Sequence, residues 1–279
     1  MDTRPILFLD SGIGGIPYCR HFQHRNPGET LIYLADRAHF PYGGRKREEL
    51  ALIVPALMGR LLEKADPKIA VIACNTATVS ALEILRDAFP RIPFVGTVPA
   101  VKPAVLDSRS GVVGVLGTER TIGDPYTAEV ALKYRRDCRI RGIAAPELVD
   151  FIERRYGSAG EDEKREMVLT YVNKFRAAGV DAVVLGCTHF LFLQDEFRRE
   201  AAPDIRIYDS LEGVSGRVES LLDRDGHKLR SGGERPPEAG LFLVTGEAKP
   251  EASWHGWAGR LGFRLSRLDD VPGKNGGGT

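Results

Sequence analysis

Two short stretches carry thiols in the same setting: VIACNTAT over residues 71–78 and VVLGCTHF over 183–190. Each runs an apolar segment into a cysteine and then into small polar residues. A free cysteine is by default a small buried hydrophobe, and Cys19 in IPYCRHF and Cys138 in RRDCRI take that reading. Cys74 and Cys187 differ, because Asn75 and Thr76 follow the first and Thr188 and His189 the second, groups able to hydrogen-bond a bound ion. A strand end passing into a helix start adds a field that favours the thiolate over the thiol. Two thiols on opposite sides of one ligand suit the inversion of a tetrahedral carbon that bears an acidic hydrogen. One base removes the proton from one face and one acid returns a proton to the other. With near-attack distances of about 3 to 3.5 Å on each side, the sulfurs would stand roughly 6 to 7.5 Å apart, unbridged, with substrate between them.

Other polar groups gather around the same idea. FLDSGIGGIP (8–17) places Asp10 at a strand end and Gly12, Gly14 and Gly15 after it, which invites a dinucleotide reading with Asp36 closing the next strand. Pro17 stands where the third glycine of that fingerprint belongs, and Asp10 sets a negative charge where a pyrophosphate would approach. The alternative is a glycine loop whose N–H groups at a helix mouth hold one carboxylate, with Asp10 holding an ammonium or assisting a proton transfer. In AHFPYGGRKREE (38–49), Arg45 and Glu49 form an i,i+4 pair on a solvated face, while Tyr42 and Gly43 offer a hydroxyl and a bare backbone amide to a cleft. His21, His24, His39, His227 and His255 read as ordinary structural histidines; His189, two residues beyond Cys187, does not. A zinc site built from Cys74, Cys187 and His189 has no CxxC or HExxH spacing behind it.

The elements that must hold these groups alternate. RPILFLD, ETLIYLAD, KIAVIACN and PFVGTVPA read as strands, with helices expected from about 14, from about 45 to 64 and from about 77 to 88, the signature of parallel βαβ units. A second series follows: GVVGVLGT, a helix over about 122–134, CRIRGIAA, a helical region over about 147–178, DAVVLGCT and RIYDS. The end of the first strand in each series and the cysteine of each series recur at offsets of 108 and 113 residues, which suggests a repeated α/β unit. Ligands of parallel α/β folds bind beyond the carboxyl ends of the strands. Asp10, Cys74, Thr118 and Cys187 all fall at such ends, so two similar domains facing each other would put one thiol on each side of a shared cleft. A helix over about 211–223, the Gly/Pro-rich loop RSGGERPPEAG and a strand in LFLVTGE complete the chain, and PGKNGGGT reads as disordered.

At 279 residues, 43% hydrophobic and 28% charged, the chain is of the soluble globular class and long enough for about two domains. A formal charge of +1 gives no footprint for nucleic acid or for an acidic membrane surface. Four cysteines are too few for a disulfide framework in a chain of this length, and together with a start too short for a signal-peptide core they lead to the expectation of a cytoplasmic protein.

DSGIGG, FPYGG, ACNTAT, GTERTI, APELVDFIE and GCTHF, in order over the first 210 residues and followed by DSLEG and LFLVTGE, resemble the glutamate racemase family of the cofactor-independent aspartate/glutamate racemase superfamily. The resemblance implies interconversion of L- and D-glutamate without pyridoxal phosphate or metal, with D-glutamate going to peptidoglycan. It implies that Cys74 and Cys187 are the paired acid/base thiols, that Asp10 and His189 assist them, and that Glu153 is a further helper. Ser11, Tyr42, Gly43, Asn75, Thr76, Thr118, Thr121 and Thr188 would cradle the amino acid. The fold implied is α/β, two pseudo-symmetric three-layer domains with mainly parallel sheets and an active site in the interdomain cleft, often as a homodimer. The domains expected are 1–97 with a returning segment 210–266, then 98–209, with a disordered tail over 267–279. The chain departs from the family pattern at Arg37, where Thr is common, at Ala145 before Pro146, where Cys-Pro is common, and at Leu191, where Pro is common. Two other readings share this fold: a racemase of a related acid such as aspartate or a hydantoin, and a non-catalytic nucleotide- or amino-acid-binding protein.

Overall fold

Strands buried on both faces are written as unbroken aliphatic runs rather than as alternating patterns, and ILFLD shows the rule: Ile6, Leu7, Phe8, Leu9 and Asp10 are all fully buried. The computed structural model describes residues 2–224, 240–246 and 252–274. In chain order the first elements are β1 (Ile6–Asp10), α1 (Ile16–Arg25), β2 (Leu31–Ala35), α2 (Arg47–Leu62), β3 (Ile69–Ile72), α3 (Asn75–Ala88) and β4 (Phe94–Gly96). There follow α4 (Val101–Asp107), β5 (Val112–Gly117), α5 (Glu119–Gly123), α6 (Pro125–Tyr134), β6 (Arg139–Ala144), α7 (Pro146–Arg154), α8 (Glu161–Ala177), β7 (Ala182–Leu185), α9 (Gln194–Ala201) and β8 (Arg206–Tyr208). The last are α10 (Leu211–Arg224), β9 (Gly240–Val244), α11 (Ala252–Leu261) and β10 (Arg264–Arg267).

The chain divides into two compact units, Met1–Thr97 with Leu211–Thr279, and Val98–Ser210. The first holds a six-stranded sheet in the order β10-β9-β2-β1-β3-β4, the second a four-stranded sheet in the order β6-β5-β7-β8. Every strand pair in both sheets is parallel. Side chains of successive strand residues point to opposite faces, and this sorts the helices into two layers. In β1, Leu7 and Leu9 pack with Leu50, Val54, Leu57 and Leu61 of α2 and Ala77 and Ala81 of α3. Phe8, between them, meets Phe22 of α1 at a ring separation of 5.8 Å on the other face. In β5, Val113 and Val115 pack with Val101, Ala104 and Val105 of α4 and Ala131 of α6. Gly114 faces α8, where a Cβ would stand 2.6 Å from a ring carbon of Phe175, so glycine lets that ring lie against the backbone.

The strand order β2-β1-β3-β4 of the first unit is repeated as β6-β5-β7-β8 in the second. The ladders also end alike. Asp36 N–H donates to Asp10 O at 2.8 Å and Ala145 N–H to Gly117 O at 3.0 Å; Ala73 N–H donates to Leu9 O at 2.8 Å and Gly186 N–H to Leu116 O at 2.7 Å. Cys74 and Cys187 are the next residues after those last rungs and hold equivalent places in the two units.

Several boundaries differ from the sequence expectation. The helical region over 147–178 is broken by Gly157 and Gly160 into α7 and α8, and the helix over 122–134 is broken at Asp124-Pro125, where the Asp124 carboxylate accepts the Tyr126 N–H at 2.8 Å and starts a new helix. Helices α4, α9 and α11 and strand β10 were not expected. Of the tail expected over 267–279, Arg267 closes β10, Leu268 is fully buried in the core of the first unit, and Lys274 N–H donates to Glu63 O at 3.0 Å. Residues 275–279 lie outside the described residues, as do His227 and residues 230–239 of the Gly/Pro-rich loop.

The turn that launches β5 hangs on one carboxylate. Asp181 accepts from Ser108 Oγ at 2.6 Å, Arg109 N–H at 2.6 Å, Ser110 N–H at 3.0 Å and Ser110 Oγ at 2.9 Å. Partial burial opposes its charge, but these donors outweigh it and hold the carboxyl at a pKa of about 2. Because the folded value lies below the ordinary 3.8, the stabilisation is present above that pH and is lost as pH falls toward 2. Thermal melts of wild type and Asp181→Asn should therefore differ most near neutrality and converge between about pH 4 and pH 2. Gly114→Ala should lower stability by about 1 to 3 kcal/mol through overpacking against Phe175, measured by urea unfolding.

Candidate active site

In the first unit, β1 ends at a buried carboxylate. Asp10 Oδ1 accepts from the Ser11 N–H, from Ser11 Oγ at 3.2 Å and from the Gly12 N–H at 3.3 Å. The first amides of the glycine loop are thus turned onto a side chain of the protein itself, which leaves the loop poorly suited to a pyrophosphate. Gly15, at the start of α1, is required by packing: a Cβ there would lie 2.8 Å from the Ala73 Cβ and 3.1 Å from the Ala73 carbonyl oxygen and the Asp10 Cβ. That close approach brings the mouth of α1 against the end of β3.

Cys74 follows β3 in extended conformation and is the N-cap residue of α3, with its thiol making no capping hydrogen bond. Its carbonyl accepts the Thr78 N–H at 2.9 Å, so the first turn of α3 begins at the thiol residue. The positive end of a 14-residue helix lies there. Asn75 and Thr76, in that first turn, are buried, as is Cys74 with 7% of its surface exposed. The end of β3 is held by two threonines: Thr78 Oγ1 and Thr97 Oγ1 each donate to Ile72 O at 3.2 Å, and the Thr97 N–H donates to Thr78 Oγ1 at 3.0 Å.

The loop after β2 presents Tyr42 and Gly43 in a 3-10 turn (Tyr42–Gly44). The Tyr42 ring belongs to the core packed on α2 and α3, and its hydroxyl donates to Asp36 Oδ2 at 2.6 Å. Burial, then the negative charge of Asp36, pushes the phenol pKa well above 10, with Cys74 and Asp10 as further negative neighbours. His39, read as structural, sets Nδ1 2.8 Å from Asp36 Oδ2. Arg37, one of the departures, stacks its guanidinium 4.6 Å from the centre of the Phe40 ring.

In the second unit, Thr118 follows β5 and caps α5: its Oγ1 accepts the Thr121 N–H at 3.2 Å and lies 3.1 Å from Thr121 Oγ1. Cys187 follows β7 in extended conformation and precedes a 3-10 helix (Thr188–Leu193) that runs into α9. His189 Nδ1 lies 3.7 Å from Cys187 Sγ, and Nε2 lies 2.7 Å from Glu153 Oε1 of α7. Carboxylate, imidazole and thiol thus form one buried line. Burial favours the neutral imidazole, but the hydrogen bonds to Cys187 and Glu153 and their charges outweigh it and raise the His189 pKa well above 6.5. Leu191, a departure, is packed inside this turn with Phe190 and Leu193, all nearly fully buried. Ala145, another, is fully buried at the start of α7.

The residues singled out from sequence therefore fall into two groups. Asp10, Ser11, Tyr42, Gly43, Cys74, Asn75 and Thr76 gather at the carboxyl edge of the six-stranded sheet. Thr118, Thr121, Glu153, Cys187, Thr188 and His189 gather at the carboxyl edge of the four-stranded sheet. None of Cys19, Cys74, Cys138 and Cys187 is part of a disulfide. Among the described residues no group of three or more His, Cys, Asp or Glu side chains is arranged to hold a metal ion, and no helix is long and apolar enough to cross a membrane. Thr78, Thr97, Asp36 and Thr245, which hold the strand end and the Tyr42 loop, were missed as supports. Only Asp36 carried a sequence signal, as the acidic end of β2.

Residues 19–213 match the model of the Asp/Glu/hydantoin racemase family. The chain is 41% identical to a glutamate racemase of Sphingopyxis alaskensis over 223 residues, 78% of this chain and 82% of the relative. It is 40% identical to a glutamate racemase of Treponema pallidum over 271 residues, 95% of this chain and 96% of the relative. Among solved structures it is similar to the Escherichia coli glutamate racemase crystallised with L-glutamate and the activator UDP-MurNAc-ala, with a TM-score of 0.81, 30% identity, and coverage of 95% of this chain and 97% of that one. Sequence motifs, strand order and these likenesses agree, and the chain belongs to the Asp/Glu/hydantoin racemase family.

Proposed function

We propose that this protein is a glutamate racemase in which Cys74 and Cys187 carry the Cα proton on and off opposite faces of the substrate. The observation that supports this most directly is the placement of the two thiols one residue past the last rung of equivalent strands in two units of the same strand order. Glutamate is the substrate named for relatives that match nearly the whole chain. The reaction starts with one cysteine as thiolate. Its sulfur takes the Cα hydrogen as a proton, an S–H bond forms, and the C–H electron pair passes toward the α-carboxylate. The other cysteine, entering as thiol, then gives its proton to the opposite face, and its S–H electrons remain on sulfur. The product leaves the two thiols in exchanged protonation states, ready for the other enantiomer.

Acid/base catalysis of this kind supplies about 10² to 10⁴-fold. Electrostatic stabilisation of the charge that develops on the carboxylate supplies more, since donors in a water-excluded site do not have to reorganise; Asn75, Thr76 and Thr188 are the groups we assign to it. Asp10 is assigned to the ammonium group, and Ser11, Gly43, Thr118 and Thr121 to the remaining polar contacts. His189, whose pKa is raised well above 6.5 between Glu153 and Cys187, offsets negative charge on the Cys187 sulfur and, when the same enantiomer is turned over again, returns its proton as Cys74 loses one to solvent. We place the protein in the cytoplasm, a location its four cysteines outside any disulfide favour, where D-glutamate serves peptidoglycan synthesis.

Cys74→Ala and Cys187→Ala should each lower racemisation of both glutamate enantiomers by at least about 10² to 10⁴-fold, with solvent deuterium entering Cα in the wild type and no response to added pyridoxal phosphate. Circular dichroism assays read this directly, and normal turnover by either variant ends the two-thiol mechanism. A second expectation concerns pH. The raised His189 pKa means the imidazole keeps its proton until pH climbs well past 6.5, and Glu153 is one of its two supports. In Glu153→Gln that pKa falls, so the alkaline limb of kcat/KM should move to lower pH in the direction for which Cys187 delivers the proton. An unmoved limb in both directions would remove His189 from the proton path.

A further inference from the structure

We infer that Asp36 and Thr245 are positioning residues for the Tyr42–Gly43 turn, so that β9, contributed by the C-terminal part of the chain, takes part in substrate binding. The inference rests on the racemase reading, which puts that turn against the amino acid. Three donors converge on the fully buried Asp36 carboxylate: Tyr42 Oη at 2.6 Å, Thr245 Oγ1 at 2.6 Å and His39 Nδ1 at 2.8 Å. A buried carboxylate is tolerated only when its lone pairs are met by donors of this kind. Two of the donors, His39 and Tyr42, come from successive turns of the loop after β2, and the third, Thr245, from the residue after β9.

Thr245 does two things with one oxygen. It donates its proton to Asp36 and accepts the Ala38 N–H at 3.0 Å, while its own N–H extends the β2–β9 ladder by donating to Ala35 O at 3.1 Å. The loop from Asp36 to Tyr42 is therefore pinned at both its side-chain anchor and its backbone by a residue more than two hundred positions later. The Tyr42 hydroxyl proton is directed to Asp36, and the ring is locked in the core, so the turn carrying Gly43 has one placement relative to Cys74 and its helix. Neither Asp36 nor Thr245 is asked to touch substrate or move a proton. Their effect should fall on binding rather than on chemistry.

Steady-state kinetics of T245V, T245S, Y42F and the T245V/Y42F double variant test this, with thermal melts run alongside. Valine keeps the shape of threonine and removes both hydrogen bonds, one of them to a charged group, so KM for glutamate should rise about tenfold while kcat stays within about twofold. T245S should restore KM, and T245V should add almost nothing in the Y42F background, because both changes free the same turn. D36N, which replaces an acceptor oxygen with a donor, should raise KM in the same way and serves as the second variant should T245V melt before assay. A folded T245V with wild-type KM, a fall in kcat that serine does not rescue, or fully multiplicative effects in the double variant would overturn the inference. Wild-type protein that fails to racemise glutamate would instead overturn the racemase reading, so the two failures are distinguishable.

Discussion

Two backbone hydrogen bonds set where the thiols of Cys74 and Cys187 stand. The Ala73 N–H to Leu9 O bond and the Gly186 N–H to Leu116 O bond are the last rungs by which β3 and β7 follow the central strands of their sheets. Beyond them the chain leaves the ladder and turns into a helix. A residue at that point is fixed on its N-terminal side by a buried parallel sheet and on its C-terminal side by the first helical turn, with little freedom of either backbone angle. Both thiols occupy it. Reactive groups held within a fraction of an ångström need such double anchorage, which a loop alone does not give.

The two placements are equivalent in backbone but not in electrostatics. Cys74 stands at the start of the long helix α3, near Tyr42, whose hydroxyl donates to Asp36. Cys187 stands before a short 3-10 turn, and its charge compensation comes from a side chain: His189 Nδ1 at 3.7 Å, itself backed by Glu153 at 2.7 Å. The first thiol relies on a helix terminus that cannot change its protonation state, the second on an imidazole that can. In the two-thiol racemisation proposed above, the two half-reactions would see different environments, and their pH dependences would follow from that difference.

Much of this was legible in the sequence, for physical reasons. Parallel strands buried on both faces are uninterrupted aliphatic runs, so ILFLD, IAVI and AVVL announce themselves, and the residue types that follow them mark the carboxyl ends where ligands bind. The repetition of strand order was readable from two landmarks, Asp10 against Thr118 and Cys74 against Cys187. What was not readable depends on contacts far apart in the chain or on punctuation inside helices. Helix α4 carries Pro103 within VKPAVLD and follows Pro99, so its seven residues gave no helical signal. The break before α6 is made by the Asp124 cap, which a periodicity argument smooths over. Thr245 and Asp36 are joined by a 2.6 Å hydrogen bond, yet nothing in GLFLV or ETLIYLAD says that β9 lies beside β2.

The difference between the two cysteine motifs, IACN in one and LGCT in the other, has a packing cause. The residue before each thiol sits where a helix mouth presses on the strand end. In the first unit that residue is Ala73, and the space is cleared from the other side, because a Cβ on Gly15 would come within 2.8 Å of the Ala73 Cβ. In the second unit the equivalent residue is Gly186, whose own Cβ would lie 3.0 Å from Leu116 O and 3.3 Å from Thr121 Cγ2. There the neighbouring side chain, Thr121, is kept and the strand residue gives way. Each unit admits one small group at that contact, supplied by the glycine loop in the first and by the strand in the second. The exchange lets Thr118 and Thr121 take the place in one unit that DSGIGG takes in the other, so a single backbone plan presents a carboxylate beside one thiol-bearing strand and hydroxyls beside the other.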